Sequence, residues 1–320
     1  MREQGGDVDP LFTGLSAFPL TPLADDAVDE AAFTRLVRRL AGAGADSITA
    51  LGSTGSYAYL TPGERARVAE LAVEHAGGTP VFVGIGALRT SQVLANARAA
   101  ARAGASGLLL APLTYQPLTD DDVFGLFHAV TEESPLPVIV YDNPGTTHFR
   151  FSTELYARIA ALPGIASIKI PGVPTDPQQA RDRVREIRRA VPAHVGIGVS
   201  GDATAAAGLA AGCDAWYSVI GGTLPAPALR ITRAVQAGRV SAALEESAWL
   251  APLWNLFAEF GGSLRVMAAV AEQLGLAPLA SLPLPIRGLE PEQRARVAAV
   301  LAELGPDRLL GATANAGSDD

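Results

Sequence analysis

Three segments of the chain share one pattern, in which an alanine-rich helical stretch ends at a glycine and a short apolar run follows. They are LAGAGADSITALGSTG from residue 40, AARAGASGLLLAP from residue 100 and LAAGCDAWYSVIGG from residue 209. A glycine at this point supplies the left-handed backbone that commonly ends a helix, and the apolar run is typical of a buried strand. The pattern therefore predicts helices that alternate with strands.

Counting all such runs gives eight predicted strands. They are GLSAFPLT, DSITALG, PVFVGIG, SGLLLAP, LPVIVYD, IASIKI, AHVGIGV and DAWYSVI, and helical patterns such as TPGERARVAELAVEHA separate them. Eight strand–helix units that end by residue 236 predict a (β/α)8 TIM barrel, a fold of about 250 residues. A doubly wound open α/β sheet is the alternative that this pattern leaves open.

The strand signals stop after residue 238. Three helical patterns follow, VSAALEESAWLAPLWNLFAEF, LRVMAAVAEQLG and EPEQRARVAAVLAELG. We therefore predict a barrel domain over 10–238, a C-terminal three-helix appendage over 239–310 that covers one barrel end or carries a subunit contact, and a disordered tail over 311–320.

Composition narrows the class of partner. The net charge is −8 and the isoelectric point is near 5.1, which disfavours nucleic acid and anionic membranes. The one cysteine, Cys213, excludes an intrachain disulfide, and neither a secretory signal nor an apolar run of transmembrane length is present. We expect a cytoplasmic protein that acts on a small molecule.

Lys169 is the only lysine of the chain, since lysine and arginine total 25 and every other one is arginine. It stands inside the apolar run IASIKI. Alternation places Ile165, Ser167 and Lys169 on one face and Ala166, Ile168 and Ile170 on the other, so Lys169 is predicted to point into the barrel, near the C-terminal end of strand six. Burial lowers the pKa of an amine and makes it a nucleophile towards carbonyl carbon, which arginine cannot be. A structural lysine paired with an acid is the alternative.

Two further features are predicted to lie at the same end of the barrel. Tyr141 ends strand five, where its phenol could transfer protons, although an ordinary packing role is also open. The loop LGSTGS, which includes Gly52, Ser53, Thr54 and Gly55, follows strand two and offers backbone N–H groups and hydroxyls to a carboxylate. A plain linker is the alternative for this loop.

Metal and cofactor motifs are absent from the sequence. The four histidines lack ligand spacing, and no dinucleotide-binding glycine pattern follows a strand. The segment GVSGDAT could be read as a phosphate loop, but Asp202 at its centre would repel phosphate. We therefore expect chemistry without a metal or a cofactor.

In order along the chain, GSTG, YDNPG, IKI and SGDA resemble motifs of the dihydrodipicolinate synthase/N-acetylneuraminate lyase family of class I aldolases. The resemblance implies that Lys169 forms a Schiff base with a 2-oxo acid such as pyruvate and that Tyr141 relays protons. It also implies that Ser53 and Thr54 hold the substrate carboxylate, with Thr54 passing protons to Tyr141, and that the protein is a homo-oligomer, a dimer or tetramer.

The chain departs from that family at several positions. Thr146 stands where the lysine-biosynthesis branch has an arginine for its second substrate, which disfavours dihydrodipicolinate synthase itself. Ser56 and Ile170 stand where relatives often carry an acid. In PLTYQP only Tyr115 remains of a tyrosine pair, one of which reaches a neighbouring subunit, while Tyr217 could line the substrate pocket.

The sequence thus predicts a lyase that acts on a 2-oxo acid through Lys169, by aldol cleavage, condensation or dehydration. Two alternatives stay open. One is a non-catalytic ligand-binding or regulatory descendant on the same barrel, and the other is an isomerase of phosphorylated sugars.

Overall fold

Eight short parallel strands close into a barrel in the computed structural model, which describes residues 7–311. They are β1 (Gly14–Ala17), β2 (Ser47–Ala50), β3 (Val81–Gly84), β4 (Gly107–Leu110), β5 (Val138–Tyr141), β6 (Ile165–Ile170), β7 (Gly196–Val199) and β8 (Ala215–Ser218). Each pairs with its sequence neighbours, and β8 pairs with β1. The closed order confirms the predicted (β/α)8 barrel and excludes the open sheet. The tail predicted over 311–320 lies outside the described residues, apart from residue 311.

Helices connect the strands and continue after the barrel. They are α1 (Glu30–Ala43), α2 (Pro62–His75), α3 (Thr90–Ala103), α4 (Asp120–Glu133), α5 (Thr153–Ala160), α6 (Pro177–Ala190), α7 (Ala205–Ala210), α8 (Pro225–Gln236), α9 (Val240–Trp249), α10 (Ala251–Glu259), α11 (Ser263–Gln273), α12 (Pro291–Leu304) and α13 (Pro306–Leu310). A single helical turn, Pro144–Thr147, follows β5, and 3₁₀ segments lie at Pro10–Phe12, Tyr57–Tyr59, Asp202–Thr204 and Ile220–Gly222. An antiparallel hairpin pairs Leu23–Ala24 with Ala27–Val28. Across residues 7–311, no helix has the length and apolar character needed to cross a bilayer.

The three predicted helix-to-strand joints contain glycines in the left-handed region. Gly44, Gly104 and Gly212 have φ values of 81°, 87° and 105°. At the other helix ends, the side chains of Asp29 and Ser152 accept hydrogen bonds from backbone N–H groups of the first turn. These caps satisfy N–H groups that have no partner inside the helix, which fixes where each helix begins.

The apolar side chains form two layers, one on each side of the barrel wall. The outer layer packs the strands against the helices, whereas a smaller cluster fills the barrel and includes Phe82, Ile139 and Tyr217. Phe12, from the segment before β1, joins this inner cluster and stacks on Phe82 with ring centroids 5.2 Å apart. The barrel interior is therefore a packed core, and a site inside it can lie only at the open end of the strands.

Because of a bulge in β6, its first two residues lie on the opposite sides of the barrel wall from those predicted. Pairing with β5 shifts register, from Val138 opposite Ile165 to Ile139 opposite Ser167. Ile165 consequently belongs to the outer core and Ala166 packs against the inner cluster, so the strict alternation predicted for these two residues is wrong. The alternation holds from Ser167 onwards, because the extra residue is absorbed before it.

The C-terminal region contains five helices where three were predicted. The first predicted helix divides at Leu250 into α9 and α10, because Pro252 lies in the first turn of α10 and cannot continue α9. The short α13 is the other addition. Ala271 and Ala277 of this region pack against Leu20, which follows β1, and Leu36 of α1. The appendage is thus anchored beside the open end of β1.

Candidate active site

Lys169 lies on the barrel side of β6 and is 4% exposed. Its Nζ is 4.1 Å from the ring centroid of Tyr141 and 5.3 Å from that of Phe18. Burial lowers the pKa of Lys169 to about 7, and the carboxylates of Asp202 and Asp142 partly oppose this shift. The position confirms the predicted interior placement. At neutral pH a large fraction of Lys169 is therefore the neutral amine, which is the nucleophilic form.

Tyr141 is the end residue of β5 and pairs with Lys169 in register. Its hydroxyl shares a hydrogen bond of 3.3 Å with the Ser53 hydroxyl and accepts one of 2.8 Å from Asn143 Nδ2. The same Asn143 nitrogen lies 3.2 Å from Ser53 Oγ. Burial raises the pKa of the Tyr141 phenol, so the phenol is held protonated as a proton donor. Asn143 is not among the site residues predicted from the sequence, where its signal is a polar side chain two residues beyond Tyr141.

The hydroxyl next to Tyr141 belongs to Ser53 and not to Thr54, the predicted proton partner, so the role of Thr54 stays a prediction. Thr54 is buried and forms no hydrogen bond with Tyr141 in the part of the chain described. The loop turns at Leu51, which has φ of 58°, and lies against β3 at Gly84. A Cβ on Gly84 would lie 1.8 Å from the Leu51 carbonyl oxygen, so this approach requires glycine there.

The loop that holds Ser53 has free backbone donors. Within residues 7–311, the N–H groups of Gly52, Ser53, Thr54 and Gly55 donate no hydrogen bond, whereas the Ser56 N–H donates to the Ser53 carbonyl. Several unused N–H groups on one tight turn form a cradle for an anion. Gly52 is favoured sterically, because a Cβ at this position would lie 2.5 Å from the Phe18 ring.

Two buried carboxylates hold the loops around Lys169. Asp202 accepts hydrogen bonds from the Ile220 N–H at 2.7 Å and from Trp216 Nε1 at 3.0 Å, which ties the loop after β7 to the loop after β8. Asp142 accepts from the Tyr156 hydroxyl at 2.5 Å. Burial raises the pKa of both carboxyls, and these donated hydrogen bonds oppose the rise.

Arg65 is a second residue that sequence reasoning missed. It is buried behind the Ser53 loop, donates to the carbonyls of Gly84 and Gly86, and places its guanidinium 5.3 Å from the ring centroid of Tyr57. Burial lowers the pKa of Arg65 to about 10. The sequence pattern of α2 does not distinguish Arg65 from an exposed helical arginine. Only the fold shows that Arg65 holds the carbonyls of Gly84 and Gly86 in place.

Tyr217 lies deeper in the barrel than Lys169 and does not line an open pocket. Its hydroxyl donates to Ser167 Oγ at 2.8 Å, and its ring packs edge-on against Phe18. A Cβ on Gly198 would lie 2.2 Å from the Tyr217 ring, so the barrel is closed around this side chain. The ring of Tyr217 supports Phe18, whose centroid is 5.3 Å from Lys169 Nζ, and a contact of Tyr217 with substrate stays a prediction.

Thr146 and Tyr115 lie on the surface. Thr146 is exposed on the turn after β5, where its hydroxyl is 3.4 Å from the Asn143 carbonyl oxygen. Tyr115 is 87% exposed and forms no hydrogen bond within residues 7–311. The single chain therefore brings neither residue into the hydrogen-bonded group of Ser53, Tyr141 and Asn143. In the same described part, no three His, Cys, Asp or Glu side chains are grouped to hold a metal ion.

Comparison with known proteins gives one consistent family. The model of the dihydrodipicolinate synthetase family matches residues 11–304. A 4-hydroxy-tetrahydrodipicolinate synthase of Gluconacetobacter diazotrophicus is 31% identical over 84% of this chain and 93% of its own length. An uncharacterized DapA-like lyase of Halobacterium salinarum is 30% identical over 94% of both chains.

The solved structures agree with the sequence comparison. The crystal structure of a dihydrodipicolinate synthase from Agrobacterium tumefaciens is 44% identical, covers 92% of this chain and all of its own, and superposes with a TM-score of 0.88. The motif order, the barrel and these matches agree over nearly the whole described chain. The chain therefore belongs to the dihydrodipicolinate synthetase family.

Proposed function

We propose that Lys169 forms an imine with the carbonyl carbon of a 2-oxo acid, with pyruvate as the simplest member of that class. The chain is a lyase by its family. The observation that carries the proposal is the burial of the sole lysine at the open end of the barrel, with its pKa lowered to about 7. No other side chain of the chain offers a comparable amine.

The residues around Lys169 support each proton transfer of imine formation. The neutral amine attacks the carbonyl carbon, which gives a carbinolamine, and loss of its hydroxyl as water leaves the protonated imine. Tyr141 donates the proton that the leaving hydroxyl needs and is reprotonated from solvent water, with the Ser53 hydroxyl passing that proton on. Asn143 donates to the Tyr141 oxygen at 2.8 Å, which stabilises the phenolate during that exchange.

The free N–H groups of residues 52–55 are proposed to bind the carboxylate of the same substrate. They lie on the loop whose Ser53 hydroxyl contacts Tyr141, so an anion held there has its neighbouring carbonyl near Lys169. The protonated imine then withdraws electrons from the adjacent carbon. A carbon–carbon bond can form or break at that carbon, or a hydroxyl beyond it can leave as water. The imine itself is the electron sink, so we propose that no metal or cofactor takes part.

The identity of the second substrate is a separate question from imine formation. Thr146 offers no cation on the turn after β5, which led the sequence analysis to disfavour dihydrodipicolinate synthase. The comparisons do not support that exclusion, because relatives at 30–34% identity carry the name 4-hydroxy-tetrahydrodipicolinate synthase. Formation of 4-hydroxy-tetrahydrodipicolinate is therefore one activity to assay, beside cleavage and dehydration of longer 2-oxo acids.

The test is reductive trapping. Incubation with pyruvate and borohydride, with EDTA present, is expected to add one reduced pyruvate to Lys169, located by peptide mass spectrometry. Lys169→Arg, which keeps the positive charge, should give no adduct while the circular dichroism spectrum stays unchanged. Absence of an adduct with pyruvate and with a panel of longer 2-oxo acids would sink the proposal and leave the non-catalytic alternative.

A homo-oligomer, dimer or tetramer, is proposed with this function. Tyr115, Tyr59 and Leu88 are 87%, 50% and 61% exposed and follow β4, β2 and β3. Because these strands are neighbours in the barrel, their loops lie side by side. Large side chains grouped on one surface favour burial against another protein.

A further inference from the structure

The phenol of Tyr57 is a polar group beside the active site that the proposed imine chemistry does not use. Tyr57 begins the 3₁₀ segment after the Ser53 loop, and its ring packs in the outer core, where the side chain is 7% exposed. Within residues 7–311 its hydroxyl forms no hydrogen bond. That oxygen nevertheless keeps accessible surface, unlike the sealed and unpartnered hydroxyls of Thr21 and Thr223. The Tyr57 hydroxyl is therefore open to a group from outside the chain.

The Tyr57 hydroxyl lies at the carboxyl ends of β3 and β4. A Cβ on Gly86, just after β3, would lie 3.3 Å from the Tyr57 hydroxyl oxygen and 2.9 Å from the carbonyl oxygen of Ala111, just after β4. Ala111 belongs to the inner cluster together with Tyr141. Burial is the main cause of the raised pKa of Tyr141, and Tyr57 adds to the rise, which agrees with both phenols facing one site. The Tyr57 hydroxyl thus borders the open end of the barrel that holds Lys169.

Arg65 holds the Tyr57 phenol in place. It donates to the Gly86 carbonyl at 2.8 Å, and its guanidinium lies 5.3 Å from the centroid of the Tyr57 ring. One buried cation therefore contacts both the ring and the strand end that the hydroxyl borders. Burial raises the pKa of the Tyr57 phenol, and the charge of Arg65 partly opposes the rise. The phenol is protonated at neutral pH and is a positioned hydrogen-bond donor without an acceptor.

We infer that Tyr57 is a substrate-binding residue, whose phenol donates a hydrogen bond to a hydroxyl on the carbon chain of the 2-oxo acid. This role rests on the proposed imine formation at Lys169 and narrows the substrate class to hydroxylated 2-oxo acids. A hydroxyl accepts and donates, so it can accept from Tyr57 and donate to the Ala111 carbonyl, which binds the Leu113 N–H at 2.9 Å and has a second lone pair. A carboxylate only accepts, and the Ala111 carbonyl would repel it.

Pairs of 2-oxo acids that differ by one hydroxyl test this role. The pairs are 3-hydroxypyruvate with pyruvate, and 4-hydroxy-2-oxobutanoate with 2-oxobutanoate. The rate of reductive trapping on Lys169 against concentration gives the half-saturating concentration of each acid. In the parent protein we expect at least one hydroxylated acid to half-saturate at about fivefold lower concentration than its partner. In Tyr57→Phe that advantage should vanish, while half-saturation by pyruvate stays within about twofold.

Tyr59→Phe is the matched control. It removes the other phenol hydroxyl of the same 3₁₀ segment, from a side chain that is 50% exposed, and should keep the advantage of the hydroxylated acid. An advantage that persists in Tyr57→Phe, or that is absent in the parent protein, overturns the role of Tyr57. Equal weakening of both members of each pair in Tyr57→Phe also overturns it, because the contact would then be with the carboxylate that they share.

The two proposals fail in different ways. No adduct with any of the four acids in the parent protein would overturn imine formation, and the role of Tyr57 with it. Adducts that form without discrimination between hydroxylated and unsubstituted acids would overturn the role of Tyr57 alone. Adducts that form with a hydroxyl advantage lost only in Tyr57→Phe would support both.

Discussion

Tyr141 and Lys169 are register partners on adjacent strands, and the amine of Lys169 lies 4.1 Å from the centre of the Tyr141 ring. The Asp142 N–H donates to the Lys169 carbonyl oxygen at 3.0 Å, which fixes the ends of the two strands relative to each other. The amine and the phenol are thus positioned by backbone pairing and not by flexible loops. This rigidity is what a site for imine formation and proton transfer needs.

The reactivity of Lys169 should follow its lowered pKa. Only the neutral amine reacts with acetic anhydride, so the acetylation rate of Lys169 should rise with pH around a midpoint near 7. Peptide mass spectrometry measures it without interference from other lysines, since the chain has none. A midpoint near the ordinary value of 10.5 would contradict the burial argument.

Burial of Lys169 should also lower stability in a pH-dependent way. The pKa is about 7 in the folded chain against an ordinary 10.5, so the unfolded chain binds more protons between these pH values and stability rises with pH across that window. Lys169→Met should therefore raise the free energy of unfolding by about 4 kcal/mol at pH 7 and by about 1 kcal/mol at pH 10.

Urea denaturation at the two pH values measures this difference. Lys169→Arg is the matched control, because an arginine in the same place keeps its charge and should not gain stability. A gain from Lys169→Met that is the same at both pH values would show that packing, not charge, is responsible.

Substitutions of Ser53 and of Thr54 should slow adduct formation to different extents. Ser53→Ala removes the hydroxyl that contacts Tyr141 and should slow pyruvate adduct formation by about a hundredfold, since positioned proton transfer contributes 10²–10⁴. Thr54→Val removes a hydroxyl without that contact and should slow it far less. Trapping rates at saturating pyruvate compare the two, and a larger loss in Thr54→Val would restore Thr54 as the relay.

Substitution of Tyr217 should lower the free energy of unfolding and have little effect on the rate of adduct formation. Tyr217→Phe leaves Ser167 without its donor and should cost about 1 kcal/mol of unfolding free energy. Adduct formation should stay within about twofold, because the phenol lies below Lys169 and away from the substrate. A large kinetic loss with unchanged stability would show that Tyr217 does reach the substrate.

The sequence predicted the barrel and the facing of Lys169 because both depend on short-range patterns. Apolar runs of strand length and glycines at helix ends recur along the chain, and alternation from Ser167 to Lys169 is regular. The facing of Ile165 and Ala166 was not predictable, because a bulge depends on how β6 pairs with β5 and leaves no mark on the pattern.

Details of the site depend on backbone angles that residue types do not reveal. Ser53 and Thr54 are adjacent hydroxyls, and the path of the loop, which turns at Leu51 with a positive φ, sets which one meets Tyr141. Leucine rarely adopts that conformation, so no propensity rule indicates it. The contacts of Asn143 with Ser53 and of Arg65 with the carbonyls of Gly84 and Gly86 likewise join separate segments that the closed barrel brings together.

The surface that includes Tyr115, Tyr59 and Leu88 should carry a subunit contact. Light scattering after size exclusion is expected to give a multiple of the 33.0 kDa chain mass, and Tyr115→Ala combined with Leu88→Ser should shift the mass towards one chain. Leu244→Ser, on α9 and 44% exposed, is the matched control and should leave the mass unchanged. Burial of large apolar and aromatic groups drives most protein association, so removing two from one contact weakens it strongly. A mass of one chain for the parent protein at every concentration would contradict the proposed oligomer, and dissociation by Leu244→Ser alone would move the contact to the C-terminal helices.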